Sequence, residues 1–365
     1  MVSLSIRYKM LCGGLGILIL LVVISCKKPT DTPLEIPESL ENGLLTINEG
    51  LFQQNNSTLT WYDLYSKKVY HHVFEQKTGM GLGDTGNDIA LYGDKIYVVV
   101  NNSHTLHVLN KRNGEVIARL TLSNNNSGSS PRHIAFYQDH AYISAFDGSI
   151  FKIDTTTISI QQIAQAGTNP DAVHCSGDHL IVANSGGLTS TGDSTISVFQ
   201  LPELNEVARI KVGRNPGSIT EDHNGNLFVM TRGDYAMIPA RLIRLNLQTL
   251  EIEAEVELGT GAAMTFAAGK LYLAQYNSSL GTSKLMVMHP QTLAVEQDDI
   301  IENLSIQTLY GIRYMQIAGQ GVLALNDAKQ YIHQGKVVII DLEGNLLFEY
   351  TSGLNPNKTI YIPQQ

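Results

Sequence analysis

One short pattern recurs seven times along the chain and constrains its fold more than any other feature. It is a run of alternating, largely apolar residues ending in a small or polar one: GLLTIN (43–48), KIYVVV (95–100), HAYISA (140–145), HLIVAN (179–184), NLFVMT (226–231), KLYLAQ (270–275) and GVLALN (321–326). Successive starts lie 52, 45, 39, 47, 44 and 51 residues apart. Each run is followed by a loop and a second strand pattern, from STLTWYD (57–63) to GKVVIID (335–341), then by a turn such as Asn113-Gly114 and a third strand. A further strand precedes most units, often behind an Asn-Pro step: Asn169-Pro170, Asn215-Pro216 and Asn355-Pro356. Four short strands at a period of roughly 40 to 50 residues, without a helical period in the body, are the signature of a β-propeller blade. The predicted fold is all-β, a seven-bladed β-propeller of four-stranded antiparallel blades over residues 43–365.

The two ends of the repeat region agree with a closed ring. The first unit opens at GLLTIN with no strand before it, whereas NPNKTIYI (355–362) is surplus at the other end. This C-terminal strand is expected to pair as the missing innermost strand of the first blade, which removes sheet edges that would otherwise recruit other chains.

Ahead of the repeats lies a leader. Arg7 and Lys9 precede a 14-residue apolar run (11–24), shorter than the roughly 20 residues of a membrane span. The run ends in Ser25-Cys26, a small residue before a cysteine that resembles a bacterial lipobox. Residues 1–25 are expected to be a lipoprotein signal peptide and Cys26 the lipidated mature N-terminus. Residues 26–42, rich in Pro, Thr and acids, read as a tether. Lys27-Lys28 after the cysteine, with the first acid at Asp31, resembles the start of Bacteroidota surface lipoproteins, and that resemblance implies a lipid-anchored place at the outer membrane with display at the cell surface. Formal charge is −9, from 25 basic and 34 acidic side chains, which argues against a nucleic-acid partner.

In a four-stranded blade, the loop entering the innermost strand and the loop joining the second strand to the third open on one face. Several of these loops exceed what a hairpin needs, and long loops on a rigid scaffold usually carry binding. They present Asn48, Glu49, Asn101, Asn102, His133, Phe146, Asn184, Arg232, Tyr235, Tyr276, Asn326, Asp327 and Tyr331 as candidate ligand-binding residues. Amides and aromatics suit a large, mostly neutral ligand with many hydrogen-bonding groups. Taken singly, such asparagines more often satisfy backbone at blade corners.

Catalytic and metal signatures are weak. His71-His72 in KVYHHVF are expected on the solvated outer strand of their blade, pointing to opposite faces. No HExxH, CxxC or Gly-x-Ser-x-Gly pattern occurs, and no metal, cofactor or catalytic residue is assigned. Cys175, in AVHCSG, is expected to be a small, inert, buried thiol. Trp61 is the only tryptophan and is expected to pack between blades.

The units at 95–120 and 212–235 resemble the YncE-like propellers. The opening INEGLF…STLTWYD, the LGDTGNDIALYGDKIYVVVNNS stretch and the closing segment from LYGIRYMQ to SGLNP are similar to Bacteroidota surface lipoproteins of the BtuG family. This resemblance spans about residues 43–362. It implies a binding protein that captures a cobalamin-like corrinoid on its loop-bearing face and passes it to an outer-membrane TonB-dependent transporter. The INEG, VVNNS, TRGDY and NDAKQY segments carry the resemblance onto that face. The alternatives are an envelope interaction scaffold, a glycan-binding propeller, or a hydrolase or lactonase that would need His133, Asp327 or Glu49 brought together around a metal in the central channel.

Overall fold

The structure, a computed structural model, describes residues 34–364 except 188, 190, 191, 262, 278 and 279; the expected signal peptide, Cys26 and the first part of the tether lie outside the described residues. Seven four-stranded antiparallel sheets form a ring. Blade 1 combines Gly43–Asn48, Thr58–Asp63 and Val69–Tyr70 with the C-terminal strand Pro356–Ile362, which pairs with Gly43–Asn48 as the surplus at 355–362 predicted. The innermost strands of blades 2 to 7 are Gly86–Tyr92, Pro131–Tyr137, Pro170–Ser176, Pro216–Glu221, Ala263–Ala267 and Leu309–Ile317.

The recurring sequence column is the second strand of each blade, and its burial explains why the pattern is so clear. In Lys95–Val100, His140–Ala145, His179–Asn184 and Asn226–Thr231 every residue after the first is buried. Neighbouring blades cover both faces of these strands, so apolar side chains are favoured at every position. Outer strands such as Val116–Thr121 alternate between half-buried and exposed. Between adjacent blades lie seven apolar clusters that follow one another around the ring and close it. Trp61 is buried in the cluster between blades 1 and 2, with Leu45, Ile96 and Val98.

Blade 1 departs from its sequence pattern. Its outer strand is only Val69–Tyr70, and KVYHHVF does not continue as a strand. His72 turns the chain at φ 56°, and Val73–Thr78 forms a short helix that buries Val73 and Phe74. The burial of these two side chains accounts for the change of element, because a continued edge strand would leave one of each adjacent pair in water. Residues read as the end of the tether are docked there too: Leu40 is buried in the same cluster, Ile36 packs on it, and Lys77 Nζ donates to the Pro37 carbonyl at 2.8 Å.

The entry to the innermost strands positions the site. In blades 3, 4, 5 and 1 a residue at positive φ (Ser130, Asn169, Asn215, Asn355) precedes the strand's proline. Its carbonyl accepts the N–H of the residue that ends the neighbouring second strand or follows it, as in Arg232 N to Asn215 O at 2.9 Å and Glu49 N to Asn355 O at 2.9 Å. Asparagine tolerates the left-handed conformation better than most residues, which gives the Asn-Pro steps their physical reason. The ladder register then slips directly after entry in six blades, between Gly86 and Asp88, Pro131 and Ile134, Pro170 and Val173, Pro216 and Ser218, Leu309 and Gly311, and opposite Asn48 at Pro356. Each slip is a β-bulge, which leaves a residue unpaired and re-aims its side chain.

Candidate functional site

The unpaired bulge residues converge on one end of the central channel. Asn87, Arg132, His133, Gly217, Tyr310 and Asn357 all line a cavity of about 820 Å³, with Asp171 directly behind them. This volume lies within the usual range of small-molecule sites.

An ion network occupies one side of the cavity. Buried Asp171 accepts from Arg132 Nε at 3.0 Å and from Arg232 Nη1 at 2.8 Å. His133 stands between two acids, with Nε2 3.3 Å from Asp171 Oδ1 and Nδ1 3.4 Å from Asp88 Oδ2. Asp88 is also held by Lys358 Nζ at 2.5 Å and by the Ile134 N–H at 3.0 Å. Arg132 further donates to the Asn87 side-chain oxygen and lies over the Phe146 ring, 4.6 Å from its centroid.

These contacts set the protonation states. Burial opposes ionisation of Asp88, but Lys358 and His133 hold its carboxyl well below the usual range. Arg132, Arg232 and His133 do the same for Asp171 against its burial. Burial alone would lower the His133 pKa, yet its two aspartate partners outweigh this and raise it. His133 is thus an imidazole held between two carboxylates that favour its charged form.

The other side is aromatic. Tyr310 donates to Glu49 Oε2 at 2.7 Å, and burial raises the Glu49 pKa despite this bond and nearby Arg132 and His133. Tyr331 packs edge-on against Tyr310 at 5.5 Å and against Tyr276 at 6.4 Å. Tyr235 completes the lining, and around the mouth Phe52, Met237, Leu280 and Ile332 are exposed.

Of the residues expected from sequence to meet ligand, Glu49, His133, Arg232, Tyr235, Tyr276 and Tyr331 line this cavity, and Phe146 supports Arg132. The amides are placed differently. Asn48 donates to Thr58 Oγ1 and Thr60 Oγ1 and accepts from Ser352 and Gly353, while Asn184 does the equivalent with Thr195, Ser197 and Gly167. Asn101 donates to the Pro131 carbonyl, Asn102 to Asp84, and Asn326 accepts from Thr359. Asp327 accepts three backbone N–H groups, from Gln307, Thr308 and Lys329, and so shapes its own loop. His133 and Glu49 line the cavity without it. Asn87, Asp88, Arg132, Asp171, Tyr310, Arg313 and Lys358 belong to the site but are absent from the sequence-derived set. Their one sequence signal is position: each sits in an innermost strand within five residues of its start.

Among the described residues, one His and acid grouping has metal-ligand spacing, Asp139, His140 and Asp154. It lies at the opposite end of blade 3, and Asp139 is exposed. No described helix is long and apolar enough to cross a membrane.

A family model described as a domain of unknown function, DUF5074, matches residues 42–265, more than half of the chain, and the chain belongs to that family. No curated protein matches it. Among solved structures it is similar to a quinonprotein alcohol dehydrogenase-like protein from Bacteroides thetaiotaomicron, with 13% identity and a TM-score of 0.67 over 88% of this chain and 79% of that one. It is also similar to hydrazine synthase of Kuenenia stuttgartiensis (14% identity, TM-score 0.57, 71% and 77% covered). A third is a dihydro-heme d1 dehydrogenase in complex with DHE (12%, TM-score 0.58, 90% and 76% covered). At these identities the likeness is one of fold.

Proposed function

We propose that this member of the DUF5074 family is a capture protein, which seats a small ligand in the funnel at the loop-bearing end of its channel and holds it without converting it. The observation that carries this reading is the convergence of six bulged strand entries on one ion network facing a tyrosine wall. Asp88 and Asp171 are tied up by Lys358, Arg132 and Arg232, with His133 held between them, so in this reading these groups position a ligand rather than transfer protons. Tyr235, Tyr276, Tyr310 and Tyr331 offer stacking area with hydroxyls at its edge.

The ligand class that best suits this combination, together with the resemblance to the BtuG family, is a corrinoid. A flat macrocycle has apolar area for the tyrosines and exposed Phe52, Met237 and Ile332 at the mouth, and amide arms for the charged side. Lipidation at Cys26 would anchor the protein to the outer membrane, facing the cell surface, where a TonB-dependent transporter would take the ligand over. Calorimetric titration with cyanocobalamin tests the reading. One-to-one binding that weakens at least tenfold in the Tyr276→Ala/Tyr331→Ala variant is expected. Absence of binding, or unchanged binding in the variant, would overturn it.

A further inference from the structure

The ionisable groups of the funnel do not balance one another. The protein as a whole carries −9. Yet Arg132, His133, Arg232, Arg313 and Lys358 all face the cavity, against Glu49 and Asp88 in its lining and Asp171 behind it. Asp171 is occupied by both Arg132 and Arg232, and Asp88 by Lys358 and His133. Glu49 is biased towards its neutral form by burial.

Arg313 is left over. It faces the cavity from Leu309–Ile317, and its guanidinium makes no hydrogen bond or ion pair among the described residues. The adjacent innermost strand is Pro356–Ile362, which carries Lys358; burial lowers the Lys358 pKa, Asp88 opposes this, and Arg313 is close enough to lower it further. Asp88 is the acid that favours the charge on Arg313, and it is already engaged by Lys358 and His133; a guanidinium taken partly out of water, beside a like charge and with no ion pair of its own, is costly to keep unless something else compensates it.

We propose that the channel holds an oxyanion of the captured molecule, a phosphate or carboxylate group, against Arg313 and Lys358 beneath the tyrosine rim. The inference rests on the capture reading and names the chemistry of the ligand's buried end. Depth also sets its orientation. Arg313 is three residues beyond Tyr310 on the same strand, so at a rise of ~3.3 Å per residue its backbone lies about 10 Å farther along the channel. The ligand therefore enters acid first, with its apolar body towards the mouth.

The test uses residues 34–365, the unit whose seven inter-blade cores close the ring. Affinities for 1-naphthyl phosphate, 1-naphthoate and 1-naphthol are measured by calorimetry at two salt concentrations, in the wild type and in R313M and R313K. At least one anionic probe should bind about tenfold or more tighter than naphthol, as charge-assisted contacts do, and this preference should shrink with salt. R313M should abolish the preference without lowering thermal stability, since it removes an uncompensated buried charge, and R313K should restore part of the preference. Whether phosphate or carboxylate is preferred identifies the group. Equal affinity for all three probes, a preference that survives in R313M, or no binding of any probe would overturn the proposal. Capture itself is decided separately by the cyanocobalamin titration, so the two failures are distinguishable.

Discussion

Replacing Asp171 with asparagine should destabilise the propeller from within its own site. The carboxylate is buried and receives Arg132 on one oxygen, Arg232 on the other and His133 Nε2 on the first. D171N is nearly isosteric, so it leaves the cations in place and removes the charge between them. Breaking a buried ion pair costs about 3–5 kcal/mol. The lower end applies here, because the arginine side chains are 19% and 22% exposed and keep other partners, Asn87 for Arg132 and the Gly217 carbonyl for Arg232. With an unfolding entropy of ~2.1 cal/mol/K per residue over roughly 330 residues, or ~0.7 kcal/mol/K, a loss of about 3 kcal/mol lowers Tm by about 4 °C. Differential scanning calorimetry at pH 7 reads this directly. The pH dependence has a defined sign. The Asp171 pKa is depressed on folding, so its contribution is present above its ordinary value of 3.8 and is lost as pH falls through the folded-state value. The gap between wild type and D171N should therefore hold from pH 7 down to the ordinary carboxylate range and close below it. A D171N protein melting within 1 °C of wild type at pH 7 would refute the reasoning.

Three further outcomes are expected. Glu49 and His133 both have raised folded-state pKa values, so the stability they confer is present below their ordinary values, 4.5 and 6.5, and is lost as pH rises through the folded ones; Tm of E49Q should gain on wild type as pH rises above 4.5, and H133Q should flatten the decline above pH 6.5. At the ring seam, a Cβ on Gly311 would lie 2.0 Å from the Asn357 carbonyl oxygen, so G311A should cost about 2 kcal/mol or more in denaturant titration, whereas G259A, with open space around it, should be neutral. The Cys175 thiol, pushed up to about 12 by burial and by Glu221, should react with iodoacetamide at pH 8 roughly a thousandfold more slowly in the folded protein than in urea, although it lines the channel.

The ring is legible in the sequence because its evidence is local and repeated. Burial on both faces is not available to a sandwich edge, so runs such as Ile96 to Val100 and Leu180 to Ala183 stand out, and the surplus strand ending at Ile362 takes the place of the strand missing before Gly43 to complete the circle. The site is half legible. Arg232, Tyr276 and Tyr331 can be found because they lie at or beside the long connections that follow the second strands, although Tyr276 still belongs to the strand Lys270–Asn277 and Tyr331 to a short 3-10 turn. Asn48 and Asn184 sit at the same loop mouths yet tie their own strands together, and nothing in a single sequence separates an amide that braces a blade from one that meets a ligand. Asp88, Arg313 and Lys358 escape notice for the opposite reason. They lie inside strand patterns, where a bulge breaks the period of two and turns a side chain towards the channel. Their partnerships also cross the whole chain, as between Lys358 and Asp88, 270 residues apart. The short helix at Val73–Thr78 is hidden by β-branched and aromatic residues that suit a strand equally well.

Capture at the funnel is tested most directly by hydrogen exchange with mass spectrometry, with and without saturating cyanocobalamin. The account predicts slowed exchange in peptides covering residues 49–54, 232–239 and 328–334 at the loop-bearing mouth, and no change at the turns around residues 93, 138 and 177 on the opposite face. Protection confined to that opposite face, or none anywhere, would contradict it.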